Sequence, residues 1–357
     1  MHAESPAGER LAWPDALRAI AMYGVFLAHL GSLSAKISVF CFGFVMQLFF
    51  FVCGLFAARC AELGFVSLLK KLVRNLLLPY LVLAAMNLVY AALKHVPNLG
   101  LCALQCLLAI RNRIFIPGLW FIPCLIVMTL AYWGLSRLLR RPIARLAVCL
   151  VVSLAFRLLK ETSEWFWSAD SAMLFLFYYA LGDLSMPVLR RVTFRSLTAP
   201  QKAGFLSAAG LSLAVTVFSY FLYNAGEAKP LGLVFSDTEM RLFTFAASTT
   251  TVFLCVVVSR LLQRVRILRT IGQNTLVLSG TQTLASDFCF QLMWFTGIIW
   301  TVRSDWQTLV YGAAQLLFSC YFVAIPLKKV LPFIFGGGRR RIKPIPVAAD
   351  TAANVPQ

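Results

Sequence analysis

Charge is what this chain has least of. Only 13% of its 357 residues are Asp, Glu, Lys or Arg, against about 25% in a soluble domain, which excludes a polar surface wrapped around one core. Strict alternation of apolar and polar residues is also missing from runs such as "VMQLFFFVCGLFAA" (45–58), and that excludes a membrane β-barrel. The opening "MHAESPAGERLA" has two glutamates and no apolar stretch, so no cleavable signal peptide is expected there. No repeat is visible in loop lengths or motifs, which weakens a transporter built from inverted halves. Most of the ten cysteines, among them Cys53, Cys149, Cys255 and Cys320, sit inside apolar runs and read as small hydrophobes. Cys102 and Cys106 are one helical turn apart, but without a nearby His or further Cys they do not make a zinc site, and no metal is expected.

What is present is apolar. Hydrophobic residues make up 60% of the chain, and helix-length apolar runs follow one another from residue 16 to 335. In lipid only helices or closed barrels satisfy their backbone, so the fold class is an all-α, polytopic transmembrane bundle. About ten spans are expected, roughly at 16–34, 39–58, 75–93, 118–136, 143–159, 171–188, 204–223, 242–261, 275–299 and 308–334. The segment 99–110 is too short to span and reads as an interfacial or re-entrant helix. The net charge of +19 invites a nucleic-acid reading, yet most Lys and Arg fall in alternate loops and the tail. That is the positive-inside pattern, with both termini cytoplasmic and no nucleic-acid partner. Three segments result: a cytoplasmic N-terminus at 1–12, a membrane domain at 13–335, and a basic cytoplasmic tail at 336–357.

The first span, "DALRAIAMYGVFLAHL" (15–30), carries Arg18 and His29. Charge within a span is costly and normally has a partner or a task. Eleven residues are close to three whole turns, so Arg18, Met22, Val25 and His29 fall on one stripe, with His29 about 16 Å deeper than Arg18. Asp15, three residues before Arg18, is expected as its salt-bridge partner. Packing of His29 and snorkelling of Arg18 would explain each residue alone, but not their shared phase.

This stripe resembles the arginine-x10-histidine signature of acyltransferase family 3, with the fucose 4-O-acetylase-like group as the nearer match. Further blocks agree in order: "QLFFFVCGLFAAR" (47–59), "KKLVRNLLLPY" (70–80), "GLWFIPCLI" (118–126), "FLFYYALGDL" (175–184) and "IGQNTLVLSGTQ" (271–282). The chain departs from the pattern at Gln282, where the family often has histidine, and at Ser279, where it has tyrosine. The resemblance implies an integral membrane enzyme moving an acyl group, usually acetyl from cytoplasmic acetyl-CoA, onto a hydroxyl of a cell-surface glycan or lipid-linked sugar. Such an enzyme sits in the bacterial inner membrane among its lipids.

Acyl transfer to a hydroxyl needs a base with a pKa near neutrality and donors for phosphate and oxyanion. His29, the only histidine within a span, is the candidate base or acyl carrier. Arg18 is a candidate for the CoA phosphates or the catalytic step, and Arg74, Lys70 and Lys71 lie on the same expected side. Asp287, at matched depth in the ninth span, is a candidate catalytic partner orienting His29. Asp183 could serve either arginine. Trp120, Phe121 and Gln282 are candidates for the substrate. The alternative function is a proton-coupled transporter or flippase of envelope glycan precursors, with His29 and Asp287 as the relay.

Overall fold

The computed structural model describes residues 11–159, 164–191, 197–224, 235–297 and 304–335; the terminal segments 1–10 and 336–357, and so the expected basic tail, lie outside them. The described residues are helical, with no strand. In chain order the α-helices are α1 Trp13–Ala28, α2 Ala35–Phe42, α3 Val45–Gly54, α4 Ala58–Ala61, α5 Phe65–Leu72, α6 Leu78–Leu93 and α7 Leu99–Leu108. They continue with α8 Phe121–Leu138, α9 Pro142–Leu158, α10 Ala169–Arg191, α11 Ala199–Tyr223 and α12 Asp237–Leu261. The last are α13 Arg266–Gln273, α14 Thr275–Phe295, α15 Asp305–Phe318 and α16 Ile325–Val330.

Local chemistry sets many of these boundaries. Pro14 opens α1, where its missing N–H costs nothing. Capping boxes start α11 (Thr198/Gln201), α12 (Ser236/Glu239) and α15 (Ser304/Gln307). Among the described residues, seven helical stretches are long and apolar enough to cross a membrane: 35–54, 65–93, 121–138, 166–191, 199–223, 237–261 and 305–330. Two of the other expected spans, α1 and α9, are 16 and 17 residues long; the third, α14, has 21 residues but is more polar. Large apolar side chains remain on the outside, Leu138 and Phe295 among them, as lipid contact requires.

The first span ends earlier than its apolar run. Helix α1 stops at Ala28, and Ser34 starts α2 by accepting the Ile37 N–H. The run predicted at 39–58 is two helices, broken at Gly43 and Phe44, with Gln47 Nε2 bonded to the Gly43 carbonyl at 2.9 Å. The stretch before residue 75 is also helical: α5 runs through a π-turn at Val73–Leu77 into α6. Between the spans expected at 242–261 and 275–299, α13 was hidden, because a short amphipathic helix gives no spanning signal.

Helix α1 lies at the centre, buried along most of its length and packed against α2, α3, α12, α13, α14 and α15. Phe26, Phe50, Leu17, Met22 and Tyr178 are fully buried. Helix α10 crosses α3 backbone to backbone. A Cβ on Gly182 would stand 2.2 Å from the Phe51 carbonyl oxygen, so only glycine fits there. Asp183, one residue on, accepts from Tyr132 Oη at 2.6 Å and lies 3.7 Å from Arg145. It therefore serves neither Arg18 nor Arg74 but ties α8, α9 and α10.

Candidate active site

A cavity of ≈ 520 Å³ lies between α1, α2, α3, the loop before α8, and the start of α14. This volume is within the ~300–1,000 Å³ of small-molecule sites. Its α1 wall is the stripe Arg18, Met22, Val25 and His29, so the periodicity read from the sequence is the lining of a real space. Arg18 lines it near the start of α1 and His29 at the end of that helix, and Cys53, Leu76, Thr275, Phe42, Gly118 and Trp120 are among the other lining residues. Leu76 reaches the wall from the π-turn, a helix distortion common at functional sites.

His29 caps the C-terminus of α1. Its Nδ1 is 2.8 Å from the Val25 carbonyl oxygen. A carbonyl only accepts, so Nδ1 carries the proton and Nε2 keeps its lone pair. The ring leans on Phe42 at 5.8 Å between centroids. The residue is exposed on the cavity it lines, leaving the imidazole accessible to a reacting hydroxyl.

Gln282 holds the same carbonyl from the far side: its Nε2 donates to Val25 O at 3.3 Å. Gln282 is buried, does not line the cavity, and its Oε1 has no hydrogen-bond partner among the described residues. Expected at the substrate, it meets instead the Val25 carbonyl that His29 also bonds.

At the other end Arg18 Nη1 donates to Asp15 Oδ1 at 3.1 Å, and Gln273 Nε2 from α13 donates to Asp15 Oδ2 at 3.2 Å. Arg18 also stacks on Phe56 at 5.0 Å, and Arg59 lies 5.7 Å from the same ring. Two guanidinium groups therefore flank one aromatic ring at this mouth. Of the four cations expected on the donor, only Arg18 lines the cavity. Arg74 and Lys70 are exposed outside it, and Lys71 reaches Cys60 Sγ at 3.3 Å.

Asp287 is not beside His29. It accepts from Lys94 and Tyr90 near the end of α6, and from Gln291 at 3.4 Å. It does not line the cavity either, so the predicted His29–Asp287 pairing, and the proton relay of the transporter reading, are corrected. Matched depth fixes height in a membrane, not the direction in which a helix presents a side chain.

Trp120 and Phe121 do line the cavity. Phe121 packs against Phe49 and Phe50 at 5.5 and 5.0 Å. Above Trp120, at 4.7 Å from its centroid, lies Arg111, a lining residue the sequence reading did not select. Burial presses its pKa below the usual value, though an arginine stays charged. One signal for it was available: Arg111 and Arg113 are cations on the expected outer side, against the prevailing charge bias.

The site is an apolar chamber inside a helical bundle, lined by an imidazole with a free ring nitrogen and by two guanidinium groups. The family model for the acyltransferase domain matches residues 11–329. The chain belongs to acyltransferase family 3 and is a multi-pass membrane protein of that family. Comparisons with curated proteins and with solved structures give no match.

Proposed function

We propose that the protein is an O-acetyltransferase of the bacterial inner membrane, taking acetyl from cytoplasmic acetyl-CoA to a hydroxyl of a cell-surface glycan or lipid-linked sugar. The observation that carries this reading is the α1 stripe: Arg18 at one mouth and His29 at the other end of one apolar cavity, with Nε2 open.

The donor set fits the group. Arg18 and Arg59 offer planar, permanently charged donors for CoA phosphate oxygens. The apolar walls between Arg18 and His29 suit a pantetheine arm, and the nucleotide remains outside. Beyond the mouth, Arg74, Lys70 and Lys71 add positive potential rather than contacts.

His29 Nε2 takes the proton of the acceptor hydroxyl as its oxygen bonds to the acetyl carbon. The carbon–sulfur bond breaks, and the imidazolium returns the proton to the leaving sulfur. Transfer through an acetylated Nε2 uses the same groups in two steps. Val25 O, bonded by Nδ1–H, stabilises the charged ring in either route.

The test compares envelope glycans from cells with and without the protein by mass spectrometry. Acetylated species present only with the protein are expected. Identical glycans, with the protein in the membrane, would refute the reading.

A further inference from the structure

The two arginines that line the cavity differ in one respect. Arg18 is neutralised by Asp15, as Arg113 is by Glu164, Arg145 by Asp183 and Arg241 by Asp237. Arg111 has no carboxylate and no hydrogen-bond acceptor among the described residues; its contacts are the faces of Trp120 at 4.7 Å and Phe175 at 5.6 Å. Asp170 acts on it through space. Asp170 makes no direct contact with it; its oxygens accept the backbone N–H groups of Glu164 at 3.1 Å and Ser171 at 2.7 Å.

Stacking leaves the guanidinium edge free. A planar guanidinium lying over an aromatic ring keeps its N–H groups in its own plane, around the perimeter. Arg111 lines the cavity, and none of its nitrogens is both buried and without a partner. Asn112 lines the same wall and adds a side-chain amide.

The segment that carries Arg111 is held in an unusual shape. Ala109, Trp167 and Ser168 all have left-handed backbones, φ 49°, 53° and 51°, which non-glycine residues adopt rarely. Ser168 Oγ donates to Ala109 O at 2.7 Å, and Trp167 Nε1 donates to Leu107 O at 3.1 Å. These bonds join the end of α7 to the turn before α10, and Arg111 follows two residues later. A solvated surface arginine would need no such framework.

A partly desolvated cation with no acid in contact is costly unless a ligand supplies the charge. We infer that Arg111 is a specificity residue for the acceptor, and that the acceptor carries an anionic group, a carboxylate or a phosphate, beside the hydroxyl to be acetylated. This rests on the acetyl-transfer reading above. Arg111 binds the anion at its free edge, Trp120 supplies a face for the sugar ring, and His29 acts on the neighbouring hydroxyl. The two anions would come from different sources: a carboxylate from an acidic sugar, a phosphate from the lipid linkage.

The test uses the full chain in lipid nanodiscs with acetyl-CoA and three acceptors: a neutral hexose glycoside, the corresponding uronate glycoside, and a polyprenyl-phosphate-linked hexose. Transfer is measured as kcat and KM for wild type, Arg111→Gln and Arg111→Lys. The wild type should prefer one of the anionic acceptors, and which one identifies the source. Arg111→Gln should shrink that preference about 10- to 100-fold, through KM, as expected for a lost charge-assisted hydrogen bond. Arg111→Lys, which keeps the charge but not the fork, should fall between. Equal or better use of the neutral acceptor by the wild type would overturn the inference while leaving acetyl transfer standing. So would an equal loss on all three acceptors in both variants, the sign of a structural role. No transfer to any acceptor would remove the acetyl-transfer reading and this inference with it.

Discussion

Gly272→Ala tests how the Arg18 end of the cavity, the proposed donor entry, is held. Gly272 sits in α13 where that helix meets the start of α1, and a Cβ there would stand 1.9 Å from the Asp15 carbonyl oxygen and 2.6 Å from its carbon. The obstacle is backbone, so no rotamer relieves it. Restoring an ordinary 3.4 Å contact requires the two helices to part by about 1.5 Å, and overpacking of this kind typically costs ~1–3 kcal/mol. Separation would also stretch the 3.2 Å bond from Gln273 to Asp15, the carboxylate that holds Arg18. Losing one such bond is worth ~1 kcal/mol, so acetyl-CoA affinity should fall up to roughly tenfold. The assay pairs thermal unfolding in detergent with acetyl-CoA titration. Gly134→Ala is the control: it lies in α8 with nothing within 4 Å of its would-be Cβ, and neither quantity should drop. A Gly272→Ala protein as stable as wild type, with the same acetyl-CoA affinity, would refute the account of how α13 seats Arg18.

Other substitutions separate the remaining roles. Arg18→Ala should weaken acetyl-CoA binding by ~1.5–3 kcal/mol, the range for charge-assisted contacts, and Arg18→Lys should recover only part of it because lysine lacks the planar fork; unchanged affinity in both, by titration, removes Arg18 from the donor site. Asp287→Asn should leave acetyl transfer intact and stability little changed, since its pair with Lys94 is solvent-exposed and weak; a loss of transfer at normal expression would return Asp287 to the mechanism. Gln282→Leu should lower kcat while sparing donor affinity, because it frees the Val25 carbonyl on one side without touching the cavity; a change confined to the acceptor KM would mean that Gln282 meets substrate after all.

How much of this was legible in the sequence depended on the kind of information involved. The α1 stripe was legible because helical phase is arithmetic: Arg18, Met22, Val25 and His29 share a face in any α-helix. The Asp15–Arg18 pair was legible for the same reason. Asp287 misled because hydropathy gives depth only, and the rotation of α14 about its axis is set by packing, including the Asn87 bond to Gly280 O at 2.9 Å. Gln282 was placed near the right group but one bond too close. Arg111 depends on a loop joined to a distant turn through Ser168 and Ala109, and no local pattern encodes that join. Helix α13 stayed hidden because its apolar face covers another helix rather than spanning lipid.

On the proposed mechanism His29 performs the chemical step from the cavity wall. The most direct measurement is acetylation of the envelope glycan by His29→Gln, at membrane levels matched to wild type, with acetyl-CoA binding measured on the same preparation. Glutamine can still bond to the Val25 carbonyl, but it cannot take a proton at neutral pH. Acetylation should therefore fall by ~10²–10⁴-fold, the usual worth of a general base, while donor binding persists. Near-wild-type acetylation in His29→Gln would contradict the claim and leave the histidine as packing at the end of α1.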